Sequence, residues 1–291
     1  MSTGPADRRA PPVWLFDLDN TLHDASFAIM PQINRGMTAY VAQLLDTDLA
    51  TASRIRTEYW KRYGATLLGL LRHHDADPAE FLRAAHTFDD LPSLIRARRG
   101  LRTLLASLPG RKILLTNAPR AYARDVMRHL GIGRQFAHEV AIEDMWVHRR
   151  LRPKPDRLML RRLLARQRVA THRAVLVEDT LSHLKRYRGM GLRTVWVTGY
   201  LRELAPSRPV LEQGQHTDAA TMAVLAEEAA RHVPAAVATG SVQDVQAEHD
   251  QMAQQLPVRT RRPVGRNRPG YVSIKVKSVH ELKRRISRGH S

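Results

Sequence analysis

Residues 13–21 read VWLFDLDNT, and this stretch decides the fold. Val13–Phe16 is an apolar run with no polar interruption. A strand with one wet face alternates apolar and polar side chains. An unbroken short run is therefore read as a strand buried on both faces of a sheet. The run stops at Asp17, and a second carboxylate follows at Asp19 before the turn-forming Asn20. A buried strand that delivers acids at its carboxyl end places them where open parallel sheets bind ligands.

Working outward, the same grammar recurs. Lys112–Leu115 (KILL) ends in Thr116-Asn117, Ala174–Val177 (AVLV) ends in Glu178-Asp179, and Thr194–Val197 (TVWV) ends in a Thr-Gly turn. A weaker strand is expected at Glu139–Ile142, and Tyr271–Val276 (YVSIKV) alternates like an edge strand. Helical patterns, such as Ala121–Leu130 and Asp156–Arg166, separate the strands. Strands alternating with helices predict an α/β protein with a doubly wound, parallel, Rossmann-like sheet.

One crossover is too long. From Asp24 to about Arg98 only helical patterns appear: Pro31–Leu45, Ala50–Tyr63, Thr66–His73, and a segment opened by Asp77-Pro78, a cap followed by proline at the first helical position. An insertion of roughly 75 residues greatly exceeds an ordinary connection and predicts an inserted helical cap domain over residues 25–97. The predicted organisation is a disordered lead over 1–12, a core built from 13–24, 98–200 and 271–283, and an insertion or flexible segment over 201–270. Within that last segment, Asp218–Val233 and Ser241–Leu256 are helix candidates. The second carries an apolar face through Val242, Val245, Met252 and Leu256 that suits a partner helix or its own protein.

Composition narrows the chemistry. The 291 residues include no cysteine, which removes disulfides, thiolate metal sites and cysteine nucleophiles. No apolar run is long enough to span a bilayer, and residues 1–12 lack the apolar core of a signal peptide, so a soluble cytoplasmic protein with no membrane partner is expected. The net charge of +19 admits a nucleic-acid partner. Against this, the basic residues are scattered and aromatics are only 5% of the chain, leaving few side chains on which bases could stack. Trp14, Trp60, Trp146 and Trp196 are expected to be packing residues, and His73-His74 a solvated helix end.

Four short signals sit in order at strand ends or ahead of helices: DLDNT at 17–21, Thr116-Asn117, Lys154 between two prolines, and Glu178-Asp179. In this order they resemble the haloacid dehalogenase superfamily of phosphatases, over about residues 13–200 and again 271–283. LFDLDNTLHDAS, the helical cap and VEDTLSHLKRYRGMGLRTVWVTGY are most similar to the bacterial pyrimidine 5′-nucleotidases. The stretch before YVSIKVKSVHEL departs from the family as an insertion that touches none of the four motifs.

The resemblance implies a magnesium-dependent phosphomonoester hydrolase. Asp17 would be the nucleophile that forms an aspartyl phosphate, and Asp19 the acid that protonates the leaving oxygen and then activates water. Thr116, Asn117 and Lys154 would bind the phosphoryl oxygens. Asp17, Asp179 and the Asp19 backbone carbonyl would ligate Mg2+, with Glu178 holding a metal-bound water. The implied substrate is a pyrimidine nucleoside monophosphate. Two alternatives remain: a phosphatase or mutase acting on a small sugar phosphate or phosphoglycolate, and a nucleic-acid-binding protein using the basic surface. Dehalogenation is disfavoured, because carbon–halogen cleavage has no use for the acid at Asp19. The exact substrate and the oligomeric state are not legible.

Overall fold

The computed structural model describes residues 11–201 and 268–283. Its strands are β1 (Val13–Phe16), β2 (Lys112–Leu115), β3 (His138–Val140), β4 (Trp146–Val147), β5 (Arg150–Leu151), β6 (Ala174–Glu178), β7 (Arg193–Val197) and β8 (Ile274–Val276). Its helices are α1 (Ile29–Leu45), α2 (Leu49–Tyr63), α3 (Thr66–His73), α4 (Pro78–Ala85), α5 (Leu91–Leu94), α6 (Leu101–Ser107), α7 (Arg120–His129), α8 (Arg157–Arg166) and α9 (Leu181–Arg188). The main sheet runs β3-β2-β1-β6-β7-β8, and every neighbouring pair is parallel. The predicted α/β architecture is therefore present, with β1 at the centre.

The strands alternate between two cores. Trp14 and Phe16 of β1 face the same apolar layer as Leu114, Val175, Val177, Val195 and Val276. Helices α6 and α7 close that layer with Leu101, Leu105, Val126 and Met127. Val13 and Leu15 face the opposite layer with Ile113, Leu115, Leu176 and Trp196, closed by Leu160 and Leu164 of α8 and Leu184 and Tyr187 of α9. Helices on both faces of a parallel sheet explain why the central strand β1 is apolar throughout. Just ahead of β2, Gly110 has φ +90°, and a Cβ there would lie 2.0 Å from the Pro12 carbonyl oxygen, so only glycine lets these two segments approach.

The described residues divide into two compact units. Residues 11–37, 70–201 and 268–283 form one, and residues 38–69, which lie inside the predicted 25–97 insertion, form the other. Both contain helices where helices are expected. In the smaller unit α2 is capped by Asp48, which accepts from the Thr51 N–H at 2.9 Å, and stopped by Gly64 at φ +84°. In the larger unit Asp77 caps α4 and Pro78 opens it.

Some details differ from the sequence reading. β3 ends at Val140, because Ile142–Asp144 turns into a 3-10 segment. The β4–β5 hairpin has no sequence signal: each strand has two residues, and its turn places His148 and Arg149 at positive φ without glycine or asparagine. The tryptophans split. Trp14 and Trp196 are core residues, whereas Trp60 and Trp146 are each 41% exposed. For Trp146 the reason is the strand period, since Val147 takes the inward position. The helix candidates at 218–233 and 241–256 lie outside the described residues, as do most of 201–270 and the lead up to residue 10. Among the described residues no helix is long and apolar enough to cross a membrane.

Candidate active site

The carboxyl ends of β1, β2 and β6 meet because these three strands are neighbours in the sheet. Asp17 follows β1 and donates its backbone N–H to the Val177 carbonyl at 3.0 Å, which keeps it in register with β6. The residue is 6% exposed. Lys154 reaches in from the loop before α8 and donates from Nζ to Asp17 Oδ1 at 2.6 Å and to Glu178 Oε2 at 3.0 Å. Thr21 Oγ1 donates to the other Asp17 oxygen at 3.1 Å.

Lys154 is itself held by Asn117. The Asn117 amide donates to the Lys154 carbonyl at 3.1 Å, and its Oδ1 accepts the Lys154 backbone N–H at 2.8 Å. The Asn117 side chain thus binds the lysine's backbone rather than presenting a free amide. Thr116, 1% exposed, accepts the Ala118 N–H on its hydroxyl oxygen at 3.0 Å, and its hydroxyl hydrogen has no partner among the described residues. Glu178 accepts on both oxygens: Oε1 from the Thr180 N–H, and Oε2 from Lys154 and from His183 Nδ1, each at 3.0 Å. Asp179 accepts from the Thr180 hydroxyl at 3.0 Å.

The electrostatics follow from burying several acids around one ammonium. Burial and the adjacent Glu178 carboxylate push the Asp17 carboxyl up to about 7, against the pull of Lys154. Burial and Glu178 also push Asp179 well above the usual carboxylate range. For Glu178 burial opposes ionisation too, but Lys154 and then His183 outweigh it and hold the group well below its ordinary value. Lys154 loses hydration by burial, yet Asp17 and Glu178 more than compensate and raise its affinity for the proton.

A ligand-binding property emerges from this imbalance. Asp17, Glu178 and Asp179 each offer an oxygen, all within 4.8 Å of one another, and all three groups are buried. An all-carboxylate donor set short of positive charge fits a hard divalent cation, which takes oxygen ligands.

Asp19 is built differently. Its Oδ1 accepts the Tyr122 hydroxyl at 2.6 Å and lies 2.9 Å from His23 Nε2. Burial alone would raise its pKa, but the bonds from His23 and Tyr122 hold it below the ordinary value. Tyr122, His23 and His183 were not among the residues singled out from the sequence. His23 does carry a local signal, falling four residues after Asp19. Tyr122 and His183 are recognisable only once α7 and α9 are docked on the sheet. His73 is exposed at the end of α3.

A family model for haloacid dehalogenase-like hydrolases matches residues 13–191. The chain belongs to this hydrolase family. In a curated comparison it is 27% identical over 134 residues to phosphate metabolism protein 8 of Saccharomyces cerevisiae, a stretch that is 43% of this chain and 41% of the yeast protein. Among solved structures, a HAD phosphatase from Thermococcus onnurineus superposes with a TM-score of 0.51 at 15% identity, covering 94% of this chain and 97% of that one. The L-2-haloacid dehalogenase of Xanthobacter autotrophicus gives 0.48 at 15% identity, covering 97% and 100%. The likeness to the Thermococcus protein shows a shared fold.

Proposed function

We propose that this hydrolase cleaves phosphate monoesters through an aspartyl phosphate on Asp17, with pyrimidine nucleoside 5′-monophosphates as its substrates. The observation that carries the reading is the buried Asp17–Lys154–Glu178–Asp179 cluster beside a separately held Asp19. The first group binds and attacks an anion, while the second is free for proton transfer.

Asp17, Glu178 and Asp179, with the Asp19 backbone carbonyl, would hold a magnesium ion. When bound it supplies the positive charge that lets a carboxylate approach a phosphate dianion. The remaining work belongs to the protein. Lys154 uses two of its three ammonium hydrogens on Asp17 and Glu178, leaving one for a phosphoryl oxygen. The Thr116 hydroxyl hydrogen is likewise unspent and supplies a second donor. Such donors, fixed before the reaction, act on charge that develops in the transition state. The Asp17 carboxylate attacks phosphorus as the ester P–O bond breaks, and Asp19 gives its proton to the departing alkoxide. Asp19 then takes a proton from the water that attacks the aspartyl phosphate, releasing inorganic phosphate and restoring Asp17.

The pyrimidine preference rests on the resemblance of residues 15–26 and of the stretch from Val177 to Tyr200 to those nucleotidases. The name of the yeast relative, which places that protein in phosphate metabolism, supports phosphate chemistry in general. The test is a panel of phosphate monoesters with magnesium, run on wild type and Asp17→Asn. Uridine and thymidine monophosphates should rank first, and Asp17→Asn should lose turnover and its trappable phosphoenzyme. A preference for phosphoglycolate or a hexose phosphate would refute the nucleotidase reading. Normal turnover by folded Asp17→Asn would refute the mechanism.

A further inference from the structure

Asp19 receives two side-chain hydrogen bonds, and both fall on the same oxygen. The Tyr122 hydroxyl lies 2.6 Å and His23 Nε2 2.9 Å from Oδ1, while Oδ2 has no partner among the described residues. His23 is fully buried, and its Nδ1 has no hydrogen-bond partner among the described residues. A buried N–H without an acceptor is rarer and costlier than a bare ring lone pair, so Nδ1 carries the lone pair and Nε2 the hydrogen. His23 is therefore a donor to Asp19, as Tyr122 is.

Leaving a polar nitrogen unsatisfied in the core is destabilising. An apolar side chain at position 23 would avoid that cost, so the histidine is there for what its other nitrogen does. Tyr122 is held with similar care: it is 3% exposed, with its ring packed 5.3 Å from His86 and 5.8 Å from Phe88.

We infer that His23 and Tyr122 are positioning residues that pin the Asp19 carboxyl by Oδ1, so that its proton is carried and delivered from Oδ2 alone. Two donors on Oδ1 leave no room for a hydrogen there, and they lock the rotation that would otherwise exchange the two oxygens. Neither donor gives up its own hydrogen in the reaction. The inference rests on Asp19 being the acid and base proposed above.

A general acid matters most when the leaving group is poor. The test therefore compares the alkyl phosphate the enzyme hydrolyses best with p-nitrophenyl phosphate, whose phenolate leaves without a proton. In Tyr122→Phe and His23→Leu, the ratio of kcat for the alkyl ester to that for the nitrophenyl ester should fall about tenfold, a fraction of the 10²–10⁴ that a general acid supplies. His23→Gln, which restores an N–H at similar reach, should recover most of the ratio. Neither change should lower the residual activity of Asp19→Asn further, because there is no proton left to place. Equal losses on both esters, or a further loss on top of Asp19→Asn, would overturn the inference.

A crystal structure of Tyr122→Phe/His23→Leu gives a readout free of turnover. The Asp19 carboxyl should occupy more than one orientation, where the wild type holds one. A single unchanged orientation would overturn the pinning. A wild type inert towards every monoester, with the crystallographic result as expected, would refute the phosphatase reading and leave the pinning in place.

Discussion

Replacing Lys154 by methionine removes the one ammonium from a buried acidic cluster while keeping the side chain's length. Lys154 is 3% exposed and bonded to Asp17 and Glu178 at 2.6 and 3.0 Å. Removing one partner of a buried ion pair costs about 3–5 kcal/mol, because the other charge stays buried without compensation. At about 2–4 °C per kcal/mol for a domain of this size, the melting temperature should drop by about 6–20 °C. The cost depends on pH, and its sign follows from linkage. Asp17 already sits at about 7 in the folded protein, above its ordinary 3.8. Without the lysine it rises further, so between the unfolded and folded values the native state binds more protons than the unfolded one. Stability then falls as pH rises, by at most about 1.4 kcal/mol per pH unit per proton. The gap between wild type and Lys154→Met should be small at acidic pH, where the cluster holds extra protons, and full above the variant's raised value. Urea unfolding in the presence of chelator measures it. Tryptophan fluorescence reports on both core layers, since Trp14 and Trp196 lie in opposite ones. A loss under about 1 kcal/mol that does not change with pH would refute the idea that the lysine neutralises buried charge.

Two further outcomes test other parts of the structure. Divalent-ion affinity, measured by calorimetry without substrate, should strengthen as pH rises through about 7, because the Asp17 carboxyl must release its proton to act as a ligand, and the raised Asp179 carboxyl acts in the same direction; an affinity that is the same at low and neutral pH would contradict the assignment of these groups as ligands. A chain ended at Tyr200 should fail to fold, since it lacks β8 and the fully buried side chains of Val272, Val276, Val279 and Leu282, each worth about 1.5–3 kcal/mol; a cooperative melt near that of the full chain would show that β8 is dispensable.

The sequence by itself determined the elements with the strongest local signals. β1 and β2 have the predicted bounds because short, largely apolar runs of branched side chains fit strands buried on both faces of a parallel sheet. The capping residues of α2 and α4 are legible because a cap is a contact between near neighbours. The acids at 17, 19, 178 and 179 stood out because strand ends are where a parallel sheet exposes side chains. Tertiary structure alone decided how those acids are held. That Asn117 clamps the backbone of Lys154, that Tyr122 reaches Asp19 across 103 positions, and that His183 shares Glu178 with Lys154 are contacts between separate strand and helix ends. No local pattern encodes them, because hydrogen bonds of this kind depend on how helices settle on the sheet. The pKa order within the cluster has the same origin, since burial and the distance to one ammonium set it, and neither exists until the chain has folded.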